Sequence, residues 1–426
     1  MKEVKTRNPW LFIPTLYFAE GVPYVIINTV SVILYKKMGI SNTEIAFWTS
    51  FLYLPWVIKM FWGPMVDTYS TKRNWVIFTQ FLMMCCLGLI SFVLHSPVFF
   101  FISLFAFVIG AFVSATYDIA TDGFYMISLD KEKQAYFVGL RSVFYRMAMI
   151  FGSGFLVYLA GYLEGELNNI AASWSIAIGL AAILFGAFFV YHRFILPFPV
   201  DDKKRSPAEL EDKTSFKDAF ASYFKQSKIG IILLFILFYR FGEAMLIKLT
   251  APFLIDKRIL GGLELTTQDV GFIYGTIGVI ALILGAILGG WAIAKYGLKK
   301  CIWPMVFILN FPNIAYLYLA YVQSTNLYEI GTLIALEQFG YGFGFTAYTV
   351  YLMYISRGKY KTSHFAISTG IMALGMMIPG FWSGWLQSVV GYKIFFWIVL
   401  LMCIPGILTL FFIPMDIDKK VQNDKK

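Results

Sequence analysis

Long apolar runs alternate with short polar connections along almost the whole chain. Each run approaches or exceeds twenty residues, which is enough for a helix to cross about 30 Å of hydrocarbon. This pattern predicts an all-α polytopic membrane protein with twelve membrane-spanning helices. The predicted spans are 9–34, 45–64, 75–95, 98–126, 136–161, 172–195, 229–255, 268–294, 301–322, 328–356, 364–388 and 393–413.

One long hydrophilic stretch interrupts this alternation. Residues 197–228 include the run Asp201-Asp202-Lys203-Lys204-Arg205, so we interpret them as a cytoplasmic linker between two halves. The predicted organisation is a six-helix bundle over 1–196, the linker, a second six-helix bundle over 229–415, and a charged tail over 416–426.

A loop motif occurs once in each half. Gly63–Arg73 carries a glycine, an acid four residues later and then basic residues, and Gly290–Lys300 repeats this 227 residues on, with Ala294 in place of the acid. The motif resembles the loop between the second and third helices of major facilitator transporters. The two glycines are expected to let helices approach closely, and the acid to cap or pair at the cytoplasmic mouth. The predicted gating residues are Gly63, Asp67, Lys72, Arg73 and Gly290; the alternative is an ordinary positively charged turn.

The two halves match again between their fourth and fifth helices. Ser128–Lys133 lies 228 residues before Ser356–Lys361, and Gly152 and Gly380 share that offset. Two parallel six-helix repeats about an axis normal to the membrane are the plan of the major facilitator fold, with substrate held between them.

Composition and charge agree with a membrane protein. The chain of 426 residues is 59% hydrophobic and 14% charged, too little charge to cover a soluble surface. The net charge of +10 does not indicate nucleic acid, because 25 of the 35 lysines and arginines fall in or beside segments at one end of the spans and five at the other. That asymmetry predicts that both termini are cytoplasmic. The four cysteines lie in or beside apolar runs and the histidines lack metal-ligand spacing, so we expect no metal, no cofactor and a monomer.

Charged residues inside the spans are candidate functional groups, because a charge at the bilayer centre costs about 2.5–3.5 kcal/mol on insertion scales. Glu20 shares a helix face with Tyr17, Tyr24 and Asn28, which suggests a cavity wall, although Glu20 could merely neutralise a base. Lys59 could hold an anionic substrate group or extend to the cytoplasmic surface.

Two carboxylates one helical turn apart, Asp118 and Asp122, mark the fourth span. Like charges so close disfavour double ionisation, which suits proton coupling. The alternative is a static network with Arg141 and Arg146 of the fifth span. Asp122 could also be only a latch, because it lies nearer the cytoplasmic end.

The second half carries fewer charged positions within its spans. Arg240 and Glu243, one turn apart, are expected to neutralise each other, or the guanidinium could clamp an anionic group. Glu337 and Tyr341 belong to a polar and aromatic stripe that could stack on sugar rings or simply pack. Gly340, Gly342 and Gly344 suggest close helix packing or a flexible gate.

Several motifs of the first half resemble AmpG-type muropeptide permeases and the related acetyl-CoA transporters. Lys59–Asp67 is similar to their Lys-x-x-Trp-x-Pro-x-x-Asp signature, Ala115–Asp122 to their Ala-Thr-Gln-Asp-Ile-x-x-Asp run, and Gly21-Val22-Pro23 and Tyr145-Arg146 to shorter motifs. Tyr117 departs from the pattern, since it replaces a glutamine.

The resemblance implies proton-driven import of anhydro-muropeptides, which are cell-wall recycling fragments, across a bacterial inner membrane. Another anionic metabolite, such as acetyl-CoA or an acidic oligosaccharide, stays open as substrate. A membrane-embedded enzyme would need a nucleophile–base pair or a metal site, and none is visible; a transport-inactive sensor is a further alternative. The predicted proton-coupling residues are Glu20, Asp118 and Asp122, and the predicted substrate-binding residues are Tyr17, Tyr24, Asn28, Lys59, Tyr117, Arg141, Arg146, Arg240, Glu243, Glu337 and Tyr341.

Overall fold

A computed structural model describes residues 7–204, 213–356 and 360–415, and these residues form helices and connections without strands. The first half contains α1 (Pro9–Lys37), α2 (Asn42–Phe51 and Leu54–Tyr69), α3 (Lys72–Val93), α4 (Phe99–Ser128), α5 (Lys131–Met149, Ile150–Leu156 and Val157–Leu167) and α6 (Ile170–Ile195). The second half contains α7 (Ile229–Phe238 and Phe241–Ile255), α8 (Thr267–Phe272, Ile273–Gly278 and Val279–Tyr296), α9 (Leu298–Asn310, Phe311–Asn313 and Ile314–Val322), α10 (Leu327–Ile355), and α11 and α12, which share Lys361–Thr409. A linker helix, Lys213–Phe224, precedes α7. The predicted tail 416–426 lies outside the described residues.

The prediction of twelve helices is confirmed, although length and composition alone mark ten segments of the described chain as able to cross a membrane. One of the ten, Ser363–Thr409, contains two helices, because Gly391 has φ 74° and ψ 168° and turns the chain between α11 and α12. The twelfth is α10, whose polar residues keep it out of the ten.

Polar caps begin several of the helices at the positions where the chain leaves a loop. Thr71 accepts the backbone N–H of Asn74 at the start of α3, and Asp130 accepts that of Lys133 at the start of α5. The side-chain and backbone donors of Lys133 hold the pKa of the exposed Asp130 carboxyl below its ordinary value. These local signals fix where the apolar runs become helical.

Glycines of α10 bring this helix into close contact with α8 and α9. A Cβ added at Gly342 would lie 2.0 Å from the carbonyl oxygen of Leu282, and one at Gly340 would lie 2.2 Å from that of Ile308. Close packing is therefore the structural role of the α10 glycines. The same expectation for the loop-motif glycines is wrong, because a Cβ at Gly63 or Gly290 would meet no heavy atom of the described chain within 4 Å.

Replacing Gly342 by alanine should lower the free energy of unfolding by about 1–3 kcal/mol, because backbone atoms cannot move aside as a flexible side chain can. Thermal unfolding in detergent measures the effect. Gly63→Ala and Gly290→Ala are matched controls that should leave the midpoint within about 1 °C, since a surface change of about ±0.5 kcal/mol shifts it little. A Gly342→Ala protein as stable as the controls would contradict the packing.

The two halves are joined by polar contacts at one end of the bundle, which we call the closed end. There Lys36 of α1 forms an ion pair with Asp256 (2.5 Å), and Asn42 of α2 donates to Asp256 (3.1 Å), to Gln387 (2.9 Å) and to Tyr392 (3.0 Å). These contacts join α1 and α2 of the first half to α7, α11 and α12 of the second.

Glu164 at the end of α5 ties two parts of the closed end together. It pairs with Lys37 (3.0 Å) and accepts the hydroxyl of Thr267 on α8 (2.8 Å), while Trp174 donates to it from α6 (2.9 Å). The hydrogen bond between Thr43 of α2 and Ser388 of α11 (3.5 Å) also joins the halves at this end. The structure therefore represents a conformation sealed at the closed end.

Candidate functional site

A charged network occupies the middle of the first half. Lys59 of α2 forms an ion pair with Asp118 of α4, and their side chains are 31% and 21% exposed. One turn along α4, Asp122 accepts Nη1 of Arg141 of α5 (3.0 Å) and the hydroxyl of Tyr17 of α1 (2.9 Å). Four helices thus each supply one or two groups to the network.

The exposure of these charges shows that they line a crevice. Asp122 is 50% exposed and Arg141 is 33% exposed, although both belong to long membrane-spanning helices. The Arg141 guanidinium also lies over the rings of Tyr17 and Tyr125, 5.4 and 5.3 Å from their centroids. Because the charges contact other helices and still keep exposed side-chain surface, we interpret their surroundings as a crevice between the helices.

Glu20 of α1 lies at the inner edge of this network. Its carboxyl is close enough to Asp118, Asp122 and Lys59 to interact with their charges, and its buried Oε2 has no hydrogen-bond partner in the described structure. Three carboxyls therefore share the two cations Lys59 and Arg141. Among the described residues of this network, carboxyls exceed cations by one.

A second set of polar groups faces the first across the bundle. Arg240 of α7 donates to the hydroxyl of Tyr341 on α10 and lies over the ring of Phe345, 4.6 Å from its centroid. It is also within electrostatic range of Tyr24 of α1, just as Arg146 of α5 is within range of Tyr341. The two halves thus contribute to one central site.

The acids of the second half are more deeply buried than those of the first. Glu243 is fully buried and neither of its carboxyl oxygens has a hydrogen-bond partner in the described chain. Glu337 accepts Tyr316 and Gln338, both at 3.0 Å. The expected Arg240–Glu243 ion pair is not formed among the described residues, because the guanidinium turns toward Tyr341 instead.

Two predicted substrate-binding residues lie away from the crevice. Tyr117 is buried and its hydroxyl donates to the carbonyl of Leu16 (3.0 Å) and accepts Gln80 (3.1 Å). Asn28 is also buried and its amide donates to the carbonyl of Tyr24 on its own helix (3.0 Å). Both side chains pack inside the first half and lie outside the candidate site.

The predicted gating residues lie at the end opposite the closed end. Asp202 caps α3 by accepting the backbone N–H groups of Lys72 (2.7 Å) and Arg73 (3.0 Å). The Arg73 guanidinium donates to the carbonyl of Arg193 (2.6 Å) and lies 3.9 Å from the centroid of Phe198. These contacts fasten α3 and α6 to the start of the linker. The side chain of Asp67 is outside the part of the structure that can be described.

Sequence reasoning assigned no role to two features that the structure shows. One is the polar network of the closed end, whose residues come from separate loops. The other is Lys248 of α7, which has no carboxylate within 4 Å among the described residues and contacts the opposite half. Its charge within a span was visible in the sequence, but its partners were not.

A bundle of twelve helices in two halves, with partly exposed charges inside its spans, is typical of a membrane transporter. The Major Facilitator Superfamily model matches residues 15–360, and the chain belongs to this superfamily. It is therefore a multi-pass bacterial membrane transporter of a small molecule and not an enzyme.

Similar proteins agree with this assignment. The anhydromuropeptide permease of Escherichia coli K12 is 25% identical over 418 residues, covering 96% of this chain and 80% of the permease. A Rickettsia felis transporter named AmpG 4 is 26% identical over 421 residues and 95% of both chains. The solved structure of a D-xylose-proton symporter superposes with a TM-score of 0.71 at 13% identity, over 95% of this chain and 97% of the symporter, which shows the shared fold.

Proposed function

We propose that this transporter imports anhydro-muropeptides together with protons, by alternating access. The observation that carries the proposal is the partly exposed network in which Glu20, Asp118 and Asp122 share Lys59 and Arg141. Similarity to the anhydromuropeptide permease supports the choice of substrate.

We assign the closed end to the outer face of the bacterial inner membrane and both termini to the cytoplasm. The excess of lysine and arginine at the opposite end supports this orientation. The structure is then inward-facing, and the bundles 1–196 and 229–415 are the two bodies that rock about the site. The linker 197–228 joins them, and its Asp202 stays attached to the first bundle.

In the proposed cycle, one acid of the network takes a proton from the outside. Protonation at Asp118 would release Lys59, and protonation at Glu20 would remove its repulsion of Asp118 and Asp122. Either change alters the charge of the crevice wall, so proton and substrate favour the same rearrangement. Tyr24, Arg146, Arg240 and Tyr341 would contact the substrate, because residues of this set lie within electrostatic range of one another across the two halves.

Uptake should rise as the external pH falls, since protonation from the outside precedes inward movement. Proteoliposomes of fixed internal pH, given a labelled anhydro-disaccharide-peptide at external pH values from 5.5 to 8, test this. Collapse of the gradient with a protonophore is the control. Uptake that is flat over this range would contradict proton coupling.

A second candidate is import of another anionic metabolite, such as a nucleotide thioester or an acidic oligosaccharide. It is favoured by Arg146 and Arg240, neither of which has a carboxylate within 4 Å among the described residues. A competition experiment distinguishes the two candidate substrates. Unlabelled muropeptide should block uptake of the labelled muropeptide, whereas acetyl-CoA should not. The reverse result would favour the second candidate.

A further inference from the structure

Lys248 crosses from one half of the transporter to the other. It belongs to α7, yet its Nζ donates to Oγ1 of Thr49 on α2 (3.0 Å) and lies 4.9 Å from the centroid of the Tyr53 ring. The residue is 1% exposed. Its charged end is therefore enclosed by the opposite half.

This residue differs from the two lysines at the closed end of α1, which have acidic partners. Lys36 pairs with Asp256 and Lys37 pairs with Glu164, whereas Lys248 has no carboxylate within 4 Å in the described chain. A hydroxyl and a ring face satisfy part of an ammonium group but do not neutralise it. The ammonium retains donors that an anion could use.

The position of Lys248 places it beneath the closed end. Eight residues separate it from Asp256, which is about 12 Å along a helix. Above it, Asn42 and Lys36 hold Asp256 and keep the halves together. If the halves separated at this end, as alternating access requires, Thr49 and Tyr53 would move away with the first half and Lys248 would lie at the floor of the opened cleft.

We propose that Lys248 binds an anionic group of the substrate, a carboxylate or phosphate, in the conformation open at the closed end. This inference rests on the proposed alternating access. In the sealed conformation the Lys248 ammonium contacts the Thr49 hydroxyl and the Tyr53 ring, and these two side chains keep anions away from it. In the open conformation a substrate anion replaces them, so the lysine contacts substrate only while it enters.

Acylation of the native lysine tests its exposure and its ligand. An impermeant N-hydroxysuccinimide ester is added to the closed-end side of transport-competent proteoliposomes, and mass spectrometry measures the modified fraction of each lysine. Lys393, which is exposed at the same end, is the reference. Lys248 should be acylated during turnover and faster in Asp256→Asn. A Lys248 that stays unmodified while transport proceeds would overturn the proposal.

Protection from acylation identifies the ligand class. Inorganic phosphate, acetate and the anhydro-disaccharide-peptide should each slow the modification of Lys248 but not of Lys393, and a peptide with amidated carboxyls should not. Absence of protection by any anion overturns the proposal. Protection by phosphate or acetate but not by the muropeptide supports the anion site and contradicts the proposed substrate.

Uptake kinetics supply an independent measurement. Lys248→Met keeps the length of the side chain and removes the charge, so the protein should fold at least as stably as the native one. Its KM for the carboxylate-bearing peptide should rise about tenfold, because the variant loses roughly one charge-assisted contact with the substrate. The amidated peptide and a Lys393→Met control should show no change. An unchanged KM in Lys248→Met would also contradict the proposal.

Discussion

Replacing Asp118 by asparagine is expected to lower gradient-driven uptake by at least about tenfold. Removing one partner of a buried ion pair costs about 3–5 kcal/mol of folding stability, and the partial exposure of this pair lowers that cost. Asparagine keeps the shape of the side chain but neither carries the proton nor neutralises Lys59. Uptake of a labelled anhydro-disaccharide-peptide under an imposed pH gradient measures the effect.

Two further variants separate loss of charge balance from loss of proton transfer. Lys59→Met combined with Asp118→Asn removes the pair without leaving a lone charge, so it should regain thermal stability but not accumulation. Glu132→Gln, at an exposed position in the first turn of α5, should behave as the native protein does. Equal accumulation by Asp118→Asn and native protein would remove Asp118 from the mechanism.

The helices of this protein could be predicted from the sequence, because the requirement to span hydrocarbon acts on each segment separately. Even α11 and α12 were predicted as separate spans, 364–388 and 393–413, and in the structure a positive φ at Gly391 separates these two helices. The packing role of the loop-motif glycines could not be predicted from the repeat. Gly63 and Gly290 match in the repeat but face open space, while Gly342 packs against the backbone of α8.

The candidate site was predictable only in its charges. A carboxylate or ammonium inside a span is visible in the sequence because of its cost, so Asp118, Lys59 and Arg141 could be selected without a structure. The direction of a side chain around the helix is less visible. Tyr117 precedes Asp118 in sequence but points into the bundle, where Gln80 and Leu16 hold its hydroxyl.

The polar contacts between the two halves were not predictable from the sequence. Asn42 and Asp256 are 214 residues apart, and neither residue belongs to a motif. Lys248 likewise depends on Thr49, a small polar residue with no distinguishing sequence context. Contacts of this kind follow from how two bundles meet, which no local pattern records.

Cross-linking the halves at the closed end should reduce uptake to the background of empty liposomes. Oγ1 of Thr43 on α2 and Oγ of Ser388 on α11 are 3.5 Å apart and accessible, so cysteines at both positions should form a disulfide or accept a short cross-linker. The four native cysteines are replaced first, and uptake by that background is verified. Reduction should restore uptake, which distinguishes locking from misfolding.

A pair of cysteines within one half provides the matched control. Ser91 on α3 and Ser175 on α6 exchange hydrogen bonds of 2.7 and 2.6 Å near the same end, but both belong to the first bundle. If the bundles rock as bodies, a link between them should stop transport and a link inside one should not. Uptake that persists in the fully cross-linked Thr43→Cys, Ser388→Cys protein would show that transport does not require the closed end to open. That result would contradict the proposed entry of substrate through this end.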